Sequence, residues 1–226
     1  MSSETVLNYY DSCLRTEDVA LLGEGNWLND KLIAFWFEYL EHTILEGRDD
    51  VALVTPDVTQ MIKFLSVEEL TVILEPLALA SRKLVLLAVN DNADNSGSGG
   101  SHWSLLCYHR EQNAFFHFDS MRQLNARYAK QLQEKLCRLI NCAPQAEHVP
   151  IESPRQVNYT DCGVYVMLYA EYIAENHKAR RDFAVSIPPK NKIDFPLPGI
   201  VQEKRSQVRA CISSLAQGSS SSACAK

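Results

Sequence analysis

No two cysteines in this sequence form a C-x-x-C pair, no apolar stretch approaches the length of a membrane span, and no block of Lys and Arg is long enough to track a phosphate backbone. Each absence removes a class of function. The seven cysteines (Cys13, Cys107, Cys137, Cys142, Cys162, Cys211 and Cys224) are odd in number and lack the short paired spacing of structural zinc sites. Neither a disulfide framework nor a metal is expected. In a reducing compartment such residues are mostly small apolar core side chains, with chemistry reserved for few of them. The longest apolar runs, such as Leu84 to Val89, fall far short of the ~20 residues that cross a bilayer, and Met1 to Glu4 does not open a signal peptide. Lys and Arg number 22 against 28 Asp and Glu, a net charge of −6. The expectation is a soluble intracellular protein that is not secreted and has no nucleic-acid or membrane partner.

What is present is an ordinary globular composition, 46% hydrophobic and 22% charged over 226 residues. It predicts a single catalytic domain over 1–217 followed by a disordered Ser-rich tail over 218–226. In the N-terminal third, Asn29 caps a predicted helix on which Leu32, Phe35, Trp36, Tyr39 and Leu40 recur at helical spacing. Thr55-Pro56 opens a second helix and Ser66 to Glu69 forms the capping box of a third, so this third reads as mostly helical. Lys83 to Asn90, His102 to His109 and Ala114 to Asp119 read as strands, the last two joined as a hairpin at Glu111-Gln112-Asn113. The polar stretch Asn90 to Ser101 reads as a mobile loop. Asn125 is expected to cap a helix to about Ile140, and Asp161 to cap one that starts at Cys162 and ends near Asn176. After an irregular Pro-rich connection, Ile187 to Gly199, a last amphipathic helix is expected near Val201 to Ala216.

Four residues in this layout are suited to chemistry. Cys162, in Asp161-Cys162-Gly163, would sit at a helix N-terminus, where free N–H groups and the helix dipole favour a thiolate. His102 opens a strand and is suited to act as general base. Asp119 ends the next strand, 17 residues on (119 minus 102), where an antiparallel pairing could bring it beside the imidazole to orient it. Gln156, six residues before Cys162 (162 minus 156), could donate an amide N–H to an oxyanion. Taken singly, each has an ordinary structural explanation as a buried cysteine, a strand-end histidine, a turn aspartate or a solvent-facing glutamine.

Taken together, His102-Trp103-Ser104-Leu105-Leu106, Phe118-Asp119-Ser120 and Gln156 through Asp161-Cys162-Gly163-Val164-Tyr165 resemble the sentrin-specific, or SUMO-protease-like, cysteine protease family. Trp27-Leu28-Asn29-Asp30 matches a further family element, and the likeness runs from about residue 5 to 215. The short N-terminal segment, Asn90-Asp91-Asn92 and Thr160-Asp161-Cys162-Gly163 are most similar to the deneddylase branch. The resemblance implies an α+β fold: a papain-like core with rearranged segment order, its mostly antiparallel central sheet packed by helices. It implies no cofactor. It transfers catalytic roles to His102, Asp119, Gln156 and Cys162, and makes Trp27 and Trp103 the walls of a tunnel for a C-terminal Gly-Gly, with Asp30 at its mouth. The implied substrate is a ubiquitin-like protein, the neddylation modifier, as a precursor or on conjugates such as cullins, met by a monomeric enzyme in cytoplasm or nucleus. A SUMO protease of the same family, a Cys-His acyltransferase of related fold and a non-catalytic binding module are the competing readings. Paired Trp27 and Trp103 favour a protease over an acyltransferase, and the full set of catalytic residue types counts against the binding module.

Overall fold

The computed structural model describes residues 3–94, 99–143, 145–179 and 199–223. The helix predicted from Asn29 forms as α2 (Asp30–His42), with the Asn29 side chain accepting the Leu32 N–H at 3.1 Å. Leu32, Ile33, Phe35, Trp36, Phe37 and Leu40 are all buried, so α2 is an interior helix rather than a surface one. α3 (Pro56–Phe64) starts on its proline, and α4 (Val67–Ile73) has the predicted capping box, Ser66 with Glu69. The N-terminal third is less helical than its sequence suggests. A two-stranded sheet, β1 (Thr5–Tyr9) with β2 (Ser12–Arg15), precedes the short α1 (Thr16–Ala20), and β3 (Val51–Val54) follows α2. The β1–β2 turn carries Tyr10 at φ 45°, without the glycine that normally flags such a turn.

The central sheet has the order β3-β4-β5-β6-β7, with β4 (Leu84–Asn90), β5 (Trp103–His109), β6 (Ala114–Phe118) and β7 (Glu147–Ile151). Its three middle strands are antiparallel, as expected. Each edge strand joins in parallel, β3 to β4 and β6 to β7, because helices cross over between the paired strands: α3 and α4 between β3 and β4, α5 (Ala126–Leu139) between β6 and β7, all on one face of the sheet. Both faces of the sheet are covered. Leu84, Leu86, Leu105, Cys107 and Phe118 pack with residues of α2, α6 (Cys162–Ala179) and α7 (Gly199–Ala223), while Val85, Leu87, Leu106, Tyr108 and Phe115 pack with Ile62, Leu70, Leu132 and Leu136. Two-sided burial is why these strands read as continuous apolar runs rather than alternating ones.

Helix α7 extends beyond the predicted Val201 to Ala216 in both directions, and α6 ends three residues later than expected (179 minus 176). The Pro-rich connection lies outside the described residues but for Gly199, as do residues 95–98 of the predicted loop. No helix among the described residues is long and apolar enough to cross a membrane.

Candidate active site

Antiparallel pairing of β5 with β6 sets Leu105 opposite Phe118, which brings His102, just before β5, and Asp119, just after β6, to the same end of the sheet. Their side chains meet there: His102 Nε2 lies 2.7 Å from Asp119 Oδ1, both residues buried. An ionised carboxylate only accepts, so the imidazole donates. Asp119 also accepts the Met121 N–H at 2.8 Å and the Asn125 N–H at 2.9 Å. Burial alone would raise its pKa, but these donors and the imidazole together hold it below the ordinary carboxylate value.

The His102 backbone is fixed on both sides. Its N–H donates to Asp91 Oδ1 at 3.0 Å, and its carbonyl accepts from Asn125 Nδ2 at 3.2 Å. Burial disfavours the imidazolium, but the Asp119 bond and the Cys162 thiol outweigh it, and the pKa rises to about 9. With Nε2 committed to Asp119, Nδ1 is the nitrogen left for the thiol, and among the described residues it has no hydrogen-bond partner. Cys162 is the first residue of α6 and lines a cleft of about 590 Å³ together with His102.

Trp27, Trp103 and Asp30 border the same cleft. Trp103 is fixed by its indole N–H to the Leu28 carbonyl at 3.1 Å, whereas Trp27 is 48% exposed and stands free at the rim. Asp30 is the exposed first residue of α2. Gly163 has a packing reason to be glycine, since a Cβ there would lie 2.9 Å from Leu28 Cβ and push the segment after Trp27 away from the Cys162 turn. Gln156 lies on the loop before Cys162 but is not a wall of the cleft. Its Oε1 accepts from Ser120 Oγ at 2.6 Å and its Nε2 donates to the Asn158 carbonyl at 2.7 Å, leaving one amide hydrogen uncommitted.

Two expected caps turn out to do other work. Asn125 stands at the N-cap of α5 without a side-chain cap bond; its Nδ2 instead bridges the carbonyls of Val89 and His102, each at 3.2 Å. The Asp161 carboxylate is taken by Arg205 at 2.7 Å and Asn158 at 2.7 Å. Sequence reasoning missed Asn125, Asp91 and Arg205 as supports of the site. Asn125 looks like any helix-capping asparagine, Asp91 like any loop aspartate, and Arg205 like one more cation on an amphipathic helix. No group of His, Cys, Asp or Glu among the described residues is arranged to hold a metal ion.

The arrangement has the groups needed to activate a thiol and protonate a leaving amine. Residues 26–195 match the Ulp1 protease family, C-terminal catalytic domain. Sentrin-specific protease 8 of Rattus norvegicus is 39% identical over 220 residues, 96% of this chain and 98% of that protein. NEDD8-specific protease 1 of Arabidopsis thaliana is 32% identical over 174 residues, 76% of each chain. Among solved structures, the C-terminal Ulp1 protease domain in complex with Smt3, the yeast ortholog of SUMO, superposes with a TM-score of 0.72 at 16% identity, covering 96% of this chain and 90% of that one. The shared fold, the family match and the clustering of His102, Asp119 and Cys162 lead to one assignment: the chain belongs to the Ulp1 protease family and is a cysteine protease.

Proposed function

We propose that this protease cleaves after the C-terminal Gly-Gly of the neddylation modifier, both maturing its precursor and releasing it from lysine isopeptides. The observation that carries this is the buried His102–Asp119 pair opening with Cys162 into a cleft walled by Trp27 and Trp103. The Cys162 proton has already passed to His102 when the sulfur attacks the glycine carbonyl carbon. The C–N bond then breaks, with His102 returning that proton to the departing amine, and a thioester remains. Water, deprotonated by His102, attacks the thioester and the sulfur leaves. Asp119 orients the imidazole, and the uncommitted Gln156 amide hydrogen donates to the oxyanion. Two indole walls leave no space for a branched Cβ, which selects glycine and holds the scissile carbonyl in attack geometry. Asp30 at the rim offers a carboxylate to a basic group upstream of the Gly-Gly.

The choice of modifier rests on the names carried by the relatives, sentrin-specific protease 8 and NEDD8-specific protease 1. The reading extends to a monomeric enzyme acting on conjugates such as cullins in cytoplasm and nucleus. Its catalytic unit spans 1–217, with 218–226 a tail that supplies no site residue.

The test is a panel of ubiquitin-like proteins, each carrying a C-terminal thiol-reactive electrophile, together with kcat/KM on matched fluorogenic amides. The neddylation modifier should label Cys162 and be turned over about a hundredfold faster than SUMO, roughly 2.7 kcal/mol of discrimination. Ubiquitin should be poor, and Cys162→Ala should give no adduct. Equal or faster turnover of SUMO would move the enzyme to the SUMO-protease branch with its mechanism intact. Labelling of another cysteine would remove Cys162 as nucleophile.

A further inference from the structure

Arg205, on α7, is 2% exposed, and each of its five N–H donors has an acceptor. Nε and Nη2 both donate to Asp161 Oδ1, at 3.1 and 2.7 Å. Nη1 donates to the carbonyls of Leu21 and Gly23 at 3.0 and 3.2 Å, and Nη2 also donates to the Asn26 carbonyl at 2.8 Å. The acceptors fall into two segments with no regular secondary structure, and each segment leads straight into the cleft. Asn26 immediately precedes Trp27, and Asp161 immediately precedes Cys162. No strand ladder joins these segments, so the distance from the Trp27 wall to the nucleophile depends on side-chain bridges and on the Gly163–Leu28 approach. The rigid guanidinium plane is the bridge that grips both, and a lysine could not reproduce it, having three donors on one flexible point.

We propose that Arg205 is a positioning residue that sets the spacing between Trp27 and Cys162, which makes α7 part of the substrate-threading apparatus. Arg205 lies beyond the 26–195 segment that matches the family's catalytic domain. The inference rests on the reading of Trp27 as a wall for the substrate tail. It does not involve His102 or Asp119, which other elements hold, so Arg205 governs how the tail is seated rather than the reactivity of the thiol.

The experiment is a double-mutant cycle of Arg205→Lys and Trp27→Ala in the full chain, read by kcat/KM on the modifier's C-terminal fluorogenic amide and by the rate of Cys162 alkylation with iodoacetamide. Arg205→Lys should lower kcat/KM about tenfold to a hundredfold. Alkylation should stay within about twofold of the parent, since it reports thiolate character alone. The double variant should be no slower than Trp27→Ala, because a spacing without its wall has nothing left to seat. Losses that multiply in the double variant, or an alkylation rate that falls in step with turnover, would overturn the inference while leaving the tail slot standing. Undiminished turnover in Trp27→Ala alone would overturn the slot reading and this inference with it. Should Arg205→Lys not fold, Asp161→Asn, which keeps an acceptor oxygen but removes the charge, completes the same cycle.

Discussion

The two nitrogens of the His102 ring have different neighbours: Nε2 faces a carboxylate that two backbone N–H groups also hold, and Nδ1 is left for the thiol. A pKa raised to about 9 keeps the ring protonated through neutral pH, as the proposed delivery of a proton to the departing amine requires. Accordingly kcat/KM should hold through neutral pH and fall as the pH rises through about 9. Asp119→Asn removes the largest upward cause, so this limb should shift toward the ordinary value of 6.5, with turnover lower by about 10²–10⁴-fold. A limb left at its original position in Asp119→Asn would separate the carboxylate from the imidazole's titration. At Gln156 the issue is whether the spare amide hydrogen reaches the reacting oxygen. Gln156→Ala should cost about 2.7–4 kcal/mol in kcat with KM little changed, and a raised KM with full kcat would remove it from the oxyanion role.

At the scale of elements, the root of the loop between β4 and β5 is a dense set of backbone and side-chain bonds. Asp91 accepts from the N–H groups of Ser101 and His102, and Asn90 Oδ1 accepts from the Asn92 N–H at 2.8 Å. Gly100 completes the turn at φ +84°, and a Cβ there would fall 1.9 Å from Asn90 Oδ1. Gly100→Ala therefore meets both a left-handed backbone and a collision, and should destabilise the protein by about 1–3 kcal/mol. Because Asn90 and Asp91 hold the start of β5, it should also lower kcat/KM. Unchanged denaturation together with unchanged turnover would show that this root does not hold His102. The Gly-rich character of the stretch is legible in the sequence, and so is its meeting with His102. Which glycine is indispensable is not, because that depends on the Asn90 side chain folding back across the turn.

Over the whole molecule, the sheet separates two apolar clusters, and the His102–Asp119 pair sits at one end of it. Two buried histidines near that end titrate in opposite directions. Burial pushes His117 down to about 4 from an ordinary 6.5, with Gln123 and Ser104 bonded to its two nitrogens. A histidine held neutral in the fold favours unfolding when protonated, so stability should fall as pH drops from about 6.5 through about 4. His102 has the opposite sign: its contribution is complete below about 6.5 and is lost as pH rises through about 9. Urea midpoints between pH 4 and 10 should therefore decline on both sides of a maximum near 6.5, with His117→Gln flattening only the acid side. An acid side that His117→Gln leaves unchanged would exclude His117 as its source.

The sequence by itself determined most elements and offered the candidate catalytic set. Helix caps and apolar periodicity act over a few residues, and Asn29 and Ser66 announced themselves in that local pattern, whereas His102, Asp119, Gln156 and Cys162 stood out only when their motifs were taken together. It did not determine β1 and β2, whose turn uses Tyr10 in a left-handed conformation, nor β7, whose Glu147–Ile151 run is half polar at the edge of the sheet. The tertiary structure alone decided what holds these candidate residues in place. Asn125 and Asp161 look like caps but are claimed by carbonyls and a guanidinium distant in sequence, and Arg205 reaches segments 44 and 184 residues away. The reason is physical. Carbonyls in irregular segments have no ladder partner, a buried one must find a donor, and which donor lies within reach is settled only when the helices and the sheet have packed.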